Sequence, residues 1–310
     1  MTADPAIALS IREANVDDLP AVEVLCAASL EFETHADATA FPGVLLRRDA
    51  TLLVAVSEAS KGGAEIVGVV FGSVHERNPD RAHLDLLAVS PGVRRRGVGR
   101  ALVRELIRRA REDGRGELVV AGNPPWYCWP GVDVRYTPAI CLFQSEGFER
   151  ADQMMNMAAV LRGRGELLDT TDDEARLAAS GVGVRRLEHD DVESIRPWLA
   201  GWGGHWEAEA LGALRHDPVR CHVAHDRDGA WLGFAAWGVN APSAFGPMGT
   251  DPASRGLGIG SVLLRRCLAD QYVDRYDRAE IGWVGPYPFY SKVVGAYIDR
   301  IFWSFRLSLR

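Results

Sequence analysis

Two stretches of arginine and glycine, 161 residues apart, limit the folds that this chain can adopt. SPGVRRRGVGRALV spans residues 90–103, and DPASRGLGIGSVLL spans residues 251–264. Each stretch follows a segment that reads as a strand, contains a proline that ends the strand, and leads into the apolar period of a helix. Equivalent placement in both halves predicts two copies of one architecture. Because this period is far longer than that of solenoid repeats, the copies are expected to be two tandem domains.

The other predicted elements follow the same order in the two halves. Residues 7–30 and 181–202 each predict a strand and then a helix with acidic residues at its start. Each half continues with strands, one of the two stretches, a helix and a further strand. The polar, acidic segment 162–181 predicts a linker. We therefore expect an N-terminal domain at 1–161 and a C-terminal domain at 182–310.

The first turn of the helix after each stretch is a predicted anion site. Its backbone N–H groups have no partner within the helix, and the helix dipole adds partial positive charge there. Gly97 and Gly99 carry no side chain to cover these amides, and the arginines before them add charge and hydrogen-bond donors. Pyrophosphate is therefore the expected ligand. A tight basic turn facing water is the alternative, which the repetition disfavours.

Two other phosphate-binding motifs do not fit these stretches. The dinucleotide fingerprint needs a third glycine, and Leu102 and Leu263 occupy that position. A Walker A loop needs Gly-Lys-Ser/Thr, which neither stretch contains. The anion site is therefore of another kind.

Both stretches resemble a signature of the GNAT N-acetyltransferase superfamily, Arg/Gln-x-x-Gly-x-Gly/Ala. Arg94, Gly97 and Gly99 match it, as do Arg255, Gly258 and Gly260. CLFQSEGFE (141–149) and PFYSKVVGAYIDRIFWSFRL (288–307) resemble the helix and turn near the end of a GNAT unit. The resemblance covers nearly the whole chain except the linker. It implies an α/β (α+β) fold of two tandem GNAT domains, each with a mixed, largely antiparallel central sheet flanked by helices.

The resemblance also implies an activity, which is direct transfer of an acetyl group from acetyl-CoA, the co-substrate, to a primary amine, with a small molecule as the expected acceptor. A protein that binds acetyl-CoA without turnover and a tandem-GNAT synthase of the mycothiol-synthase kind are the alternatives. The residues expected at the cofactor are Leu87, Val89, Arg94, Arg95, Arg96, Gly97, Val98 and Gly99 in the first domain and Gly249, Thr250, Arg255, Gly256, Gly258, Ile259 and Gly260 in the second.

The catalytic residues are less clearly marked. GNAT enzymes commonly use a tyrosine to protonate the departing thiolate, but Phe143 stands at that position in the first domain, and a phenyl ring cannot donate a proton. Tyr127 and Tyr136 are the candidate substitutes, and the alternative is that no acid is used, since a thiolate leaves fairly well. In the second domain Tyr290 lies five residues before Gly295 instead of four, and it takes the acid position if Val294 replaces the usual glycine, so we expect the acid there. Asp85 is the candidate base, and a solvated or salt-bridged strand carboxylate is its alternative role.

Composition excludes several classes of partner. The net charge of −7 disfavours a nucleic-acid partner bound through a basic field. Five scattered cysteines show no metal-binding or disulfide spacing, so we expect no metal site and a reducing, cytoplasmic location. No apolar run approaches the roughly 20 residues that a membrane span needs. We expect neither a nucleic-acid nor a membrane partner, and a homodimer is left open.

Overall fold

The computed structural model describes residues 9–47, 50–60 and 63–310. The chain forms two compact units, the first made of Met1–Met154 with Ile301–Arg310 and the second of Met155–Arg300. The elements of the first part of the chain are β1 (Leu9–Glu13), α1 (Leu19–Ser29), α2 (His35–Leu45), β2 (Ala50–Ser60), β3 (Gly63–His75), β4 (Asn78–Val89), α3 (Val98–Glu112), β5 (Glu117–Val120), β6 (Val132–Asp133), α4 (Thr137–Ser145) and β7 (Glu149–Val160).

The elements of the second part of the chain follow in sequence order. They are α5 (Gly165–Leu168), α6 (Thr171–Ala179), β8 (Gly183–Arg186), α7 (Val192–Ala200), α8 (Trp206–Gly212), β9 (Cys221–His225), β10 (Trp231–Trp237), β11 (Ala244–Thr250), α9 (Ile259–Val273), β12 (Arg278–Ile281), α10 (Tyr287–Val294) and β13 (Tyr297–Ser308). In the described ranges, no helix is both long enough and apolar enough to cross a membrane.

The first unit is built on a mixed sheet with the strand order β1-β2-β3-β4-β5-β13. All neighbours are antiparallel except β4 and β5. The apolar face of α3 packs on this sheet, and two glycines of β3 allow the close approach. A Cβ on Gly72 would lie only 2.5 Å from Leu106 Cδ1.

The parallel pair separates before β4 ends. The register pairs Arg81–His83 with Glu117–Val119, whereas β4 continues to Val89. On its other side, β4 is bulged: Leu84 and Leu86 oppose consecutive residues of β3, so Asp85 is the extra residue. A wedge therefore opens along the carboxyl half of β4, next to the start of α3.

The second unit repeats this arrangement, with the strand order β8-β9-β10-β11-β12-β7. Only β11 and β12 are parallel among its described neighbours. The core lies between this sheet and α9, where Val262, Leu263 and Leu268 are fully buried. The expected fold, two mixed and largely antiparallel sheets flanked by helices, is confirmed.

The unit boundaries differ from those expected. Residues 162–181 form α5 and α6 and belong to the second unit, where Leu168 and Leu177 are buried in the core. Arg266 of α9 pairs with Glu174 of α6 at 2.8 Å. Residues 301–310 belong to the first unit. The polar composition of 162–181 suggests a linker because the segment has few large apolar residues. Two buried leucines are nevertheless enough to anchor these short helices to the core.

Candidate active site

The first glycine stretch forms an open turn at the start of α3. Gly97 precedes α3 with φ +89°, a left-handed conformation that glycine adopts without strain. A Cβ built on Gly97 would meet nothing within 4 Å, so the space in front of it is open. The first N–H groups of α3 lack intrahelical acceptors and belong to the positive end of a 15-residue helix.

A cavity of ≈ 500 Å³ lies beside this turn, in the wedge along β4. Its volume is in the range of about 300–1,000 Å³ typical of small-molecule sites. The end of α1, the carboxyl half of β4, the glycine turn and the start of α4 form its walls. Of the expected cofactor residues, those that line it are Leu87, Val89, Arg94, Arg95, Gly97, Val98 and Gly99, and Arg96 lies outside the described lining.

The cavity wall carries both basic and acidic side chains. Arg94, Arg95 and Arg100 line it near the glycine turn. Carboxylates line it elsewhere, among them Asp85 in the β4 bulge and Asp133 in β6. Asp133 is buried, and the guanidinium of Arg135 neutralises it at 2.6 Å. An anion and a cationic or hydrogen-bond-donating group can therefore be accommodated in one space.

The start of α4 brings an aromatic hydroxyl to the cavity wall. Tyr136 lines the cavity, and its Oη accepts a hydrogen bond from the N–H of Phe32 at 3.2 Å. Phe143, further along the same helix α4, is buried and packs against Phe148 and Phe305 with ring centroids 5.4 and 5.8 Å away. Of the two alternative tyrosines, Tyr136 therefore lies at this cavity.

The second glycine stretch has the same backbone but different surroundings. Gly258 precedes α9 with φ +93°, and a Cβ there would lie 3.4 Å from the guanidinium of Arg176 in α6. Gly249 is covered by Trp202, whose ring would be 3.0 Å from its Cβ. The remaining expected residues of this stretch, Thr250, Arg255, Gly256, Ile259 and Gly260, lie between β11 and the first turn of α9.

The bulge that holds Asp85 in the first unit has a counterpart without an ionisable group. In β11, Gly246 and Pro247 together oppose one residue of β10. Glycine has no side chain to accept a proton, and proline has no N–H to donate. The two units therefore differ chemically at the position beside the wedge.

Tyr290, the expected acid, lies in the core of the second unit and is 7% exposed. Its ring packs against Phe289 and Phe245, with centroids 5.1 and 6.2 Å away. Burial raises the pKa of Tyr290 well above its usual value, which makes it a weaker proton donor. Asp85 and Tyr290 belong to different units.

Sequence reasoning missed several residues of the cavity wall. Ser29, Leu30 and Glu31 at the end of α1 line it, as do Trp129 and Asp133. The aromatic and proline-rich segment 123–138 was a signal for the last two, since such an insertion suits a binding wall. Ser29–Glu31 carry no such signal, because only the packing of α1 brings them to β4.

The comparisons with known proteins agree with this fold. The family model described as "Acetyltransferase (GNAT) family" matches residues 12–125. A mycothiol acetyltransferase of Thermomonospora curvata is 34% identical over 214 residues, which cover 63% of this chain and 64% of that protein. The matched segment thus spans less than two thirds of that relative's length. A mycothiol acetyltransferase of Thermobifida fusca is 30% identical, with 66% and 67% covered.

A solved structure is similar over the full length. The tandem GNAT protein from the clavulanic acid biosynthesis pathway has a TM-score of 0.67 at 18% identity, covering 98% of this chain and 99% of that one. At this identity the likeness shows a shared fold. Together with the family model and the Thermobifida relative, it establishes that this chain belongs to the GNAT acetyltransferase family and carries two tandem GNAT domains.

Proposed function

We propose that this chain transfers the acetyl group of acetyl-CoA to a primary amine of a small molecule, and that the reaction takes place in the first unit. One observation carries the proposal: a cavity of ≈ 500 Å³ is lined both by the glycine turn at the start of α3 and by the Asp85 bulge of β4. The turn that we propose as the anion site and the carboxylate that we propose as the proton acceptor thus line the same cavity, as transfer from a coenzyme A thioester requires.

The residues of the first glycine turn suit the pyrophosphate of coenzyme A. The amides at the start of α3 supply donors, and the open space at Gly97 lets a phosphate approach the main chain. Arg95 lines the cavity and is exposed, so its guanidinium is available for charge-assisted hydrogen bonds. Acetyl-CoA would supply a thioester carbonyl that an amine nitrogen can attack.

Asp85 and Tyr136 are the proposed proton-transfer residues. An amine attacks only in its neutral form, so a base must take a proton, and Asp85 is the carboxylate in the bulge. As the N–C bond forms and the C–S bond breaks, the thiolate takes up a proton, for which Tyr136 is the proposed donor. This assignment accounts for Phe143, which cannot donate one.

The second unit is the weaker candidate for the chemistry. Its bulge carries Gly246 and Pro247 in place of a carboxylate. The guanidinium of Arg176 lies beside Gly258 and partly fills the space at this turn, whereas the space at Gly97 is open. We therefore move the proposed reaction from the second domain, favoured by Tyr290 in sequence, to the first.

A narrower candidate for the acceptor comes from the relatives. Both curated relatives named above are called mycothiol acetyltransferase. The carboxylates of Glu31 and Asp85 on the cavity wall favour an acceptor that arrives as a cation. The unacetylated form of mycothiol is therefore the second candidate, as a specific case of the proposed amine.

The test is acetyl transfer by the full chain. Purified protein is incubated with acetyl-CoA and a panel of primary amines that includes unacetylated mycothiol, and free thiol release is followed with the product mass. We expect Asp85→Asn and Tyr136→Phe each to lower kcat about 100-fold, the scale of one general acid or base. If Tyr290→Phe lost turnover while Tyr136→Phe kept it, the chemistry would be assigned to the second unit.

A pair of glycine variants tests which turn binds the cofactor. Gly99→Val adds a branched side chain at the first glycine turn, with its Cβ 3.3 Å from the flexible end of Leu142 and 3.5 Å from Val89, both of which line the cavity. Gly260→Val is the matched change in the second unit. Calorimetric titration with coenzyme A should show binding lost in Gly99→Val. Binding without turnover for every amine would favour an acetyl-CoA sensor over an enzyme.

A further inference from the structure

The segment between α1 and α2 forms one side of the first-unit cavity. Ser29, Leu30 and Glu31 line the cavity, and the chain then turns into α2. We call residues 29–33 the strap. Two local hydrogen bonds shape it: the N–H of Leu30 donates to Cys26 O at 2.9 Å, and the N–H of Glu33 donates to Leu30 O at 3.0 Å. Contacts from other elements attach it to both sides of the cavity.

Arg94 attaches the strap on the side of the glycine turn. Its Nη2 donates to the carbonyl of Ser29 at 2.8 Å, and its Nη1 lies 3.7 Å from the carboxylate of Glu31. Its Nε donates to Val89 O, the end of β4, at 3.3 Å. All three guanidinium nitrogens are thus directed at β4 and the strap.

Tyr136 and Arg135 attach the strap on the α4 side. The N–H of Phe32 donates to Tyr136 Oη at 3.2 Å, and the two rings meet edge to face with centroids 4.8 Å apart. The guanidinium of Arg135 lies 4.6 Å from the centroid of the Phe32 ring. The strap is therefore fixed at Ser29 and again at Phe32.

Arg95 differs from Arg94 although it is the next residue. It has a left-handed backbone, with φ +66°, and an exposed side chain that also lines the cavity. Consecutive residues with such different backbone angles direct their side chains differently. The charge expected to meet the pyrophosphate is thus assigned to Arg95 and the α3 amides.

We propose that Arg94 is a positioning residue, which holds the strap against β4 so that the strap forms the acceptor wall of the cavity. The description of this wall as the acceptor side rests on the proposed function. Releasing Arg94 frees Ser29 and Glu31 from the glycine turn, so the strap loosens while the α3 amides and Arg95 stay in place. Cofactor affinity is then largely kept, and use of the acceptor is impaired.

The first measurement needs no turnover. In the full chain without ligand, Arg94→Ala should raise amide exchange of a peptide covering residues 30–34 about tenfold, because local opening follows the loss of its contacts. Tyr136→Phe removes the acceptor of the Phe32 N–H and should raise exchange of the same peptide. Arg94→Lys, which retains one donor group, should restore part of the protection.

The second measurement separates positioning from phosphate binding. In calorimetric titration with coenzyme A, Arg94→Ala should keep the dissociation constant within about threefold of the unaltered chain, whereas Arg95→Ala should raise it about tenfold. With an amine that turns over, Arg94→Ala should raise the acceptor KM far more than the KM for acetyl-CoA.

Two outcomes would overturn the proposal. One is a loss of coenzyme A affinity in Arg94→Ala as large as in Arg95→Ala, and the other is unchanged exchange of the 30–34 peptide. Arg94 is exposed on one side, so we expect the variants to fold, which circular dichroism checks. If no amine turns over, the proposed function fails, and exchange and titration still decide the role of Arg94.

Discussion

Gly97 and Gly258 begin α3 and α9 with nearly the same left-handed angle, φ +89° and +93°. A side chain placed on them would meet open space in the first case and the Arg176 guanidinium in the second. The glycines themselves were predictable, because few other residues adopt this angle without strain. Their surroundings were not, since Arg176 lies more than eighty residues away in the chain.

Glu209 shows at the same scale how burial changes a residue's chemistry. It lies on α8, is 5% exposed, and burial alone raises its pKa to about 8. A carboxyl with a raised pKa binds more protons in the folded state than in the unfolded state. The free-energy cost of ionising this buried carboxyl is absent below the ordinary pKa of glutamate and complete once the pH has risen through about 8.

Glu209→Gln should therefore remove a pH dependence of the free energy of unfolding. From about pH 5 to 8 the unaltered chain should lose stability relative to the variant by about 1.4 kcal/mol per pH unit. Urea unfolding followed by tryptophan fluorescence measures this difference. The control is Glu207→Gln, whose carboxylate pairs with Arg196 at 2.7 Å. A difference that stays constant with pH would contradict a protonated Glu209.

Among the elements, α6 departs most from the sequence prediction. Its composition is that of a solvated linker, yet Leu177 is 1% exposed and packs in the second core. Arg265 and Arg266 of α9 both pair with acidic residues of α6, Asp173 and Glu174. A short amphipathic helix with one deeply buried leucine is hard to distinguish from a linker by periodicity alone.

Leu177→Ala tests whether α6 is part of the second unit. Removing a fully buried leucine leaves a cavity, so we expect a loss of about 2–5 kcal/mol in the free energy of unfolding. Leu257→Ala is the matched control, because Leu257 is 44% exposed, and it should change stability by less than about 0.5 kcal/mol. Equal, small effects in the urea midpoints would mean that α6 is a linker.

At the scale of the whole molecule, the two structural units do not coincide with the two domains that the sequence predicts. Residues 301–310 complete the first unit, where Phe305 pairs with Val120 of β5 and packs against Phe143 at the cavity wall. Residues 157–160 pair with β12 in the second unit. The last strand of each sheet therefore comes from outside the expected domain, and neither expected domain contains its complete sheet.

Phe305→Ala should consequently destabilise the first unit, although it lies at the far end of the chain. We expect about 3–5 kcal/mol, and amide exchange should rise in α3 peptides (98–112) while α9 peptides (259–273) stay protected. Ile298→Ala, at a position that is 48% exposed, should leave both peptides protected. A rise confined to α9 peptides would assign the C-terminal strand to the second unit.

The sequence by itself determined the duplication, the sheet class and the two glycine turns. Each of these depends on local signals: apolar periodicity, proline and glycine at fixed places, and the unpaired amides of a helix start. Tertiary structure alone decided which strand completes each sheet, that Tyr136 and the strap meet at the first-unit cavity, and that Tyr290 lies in a core. These depend on contacts between residues distant in sequence, where burial and packing outweigh local preference.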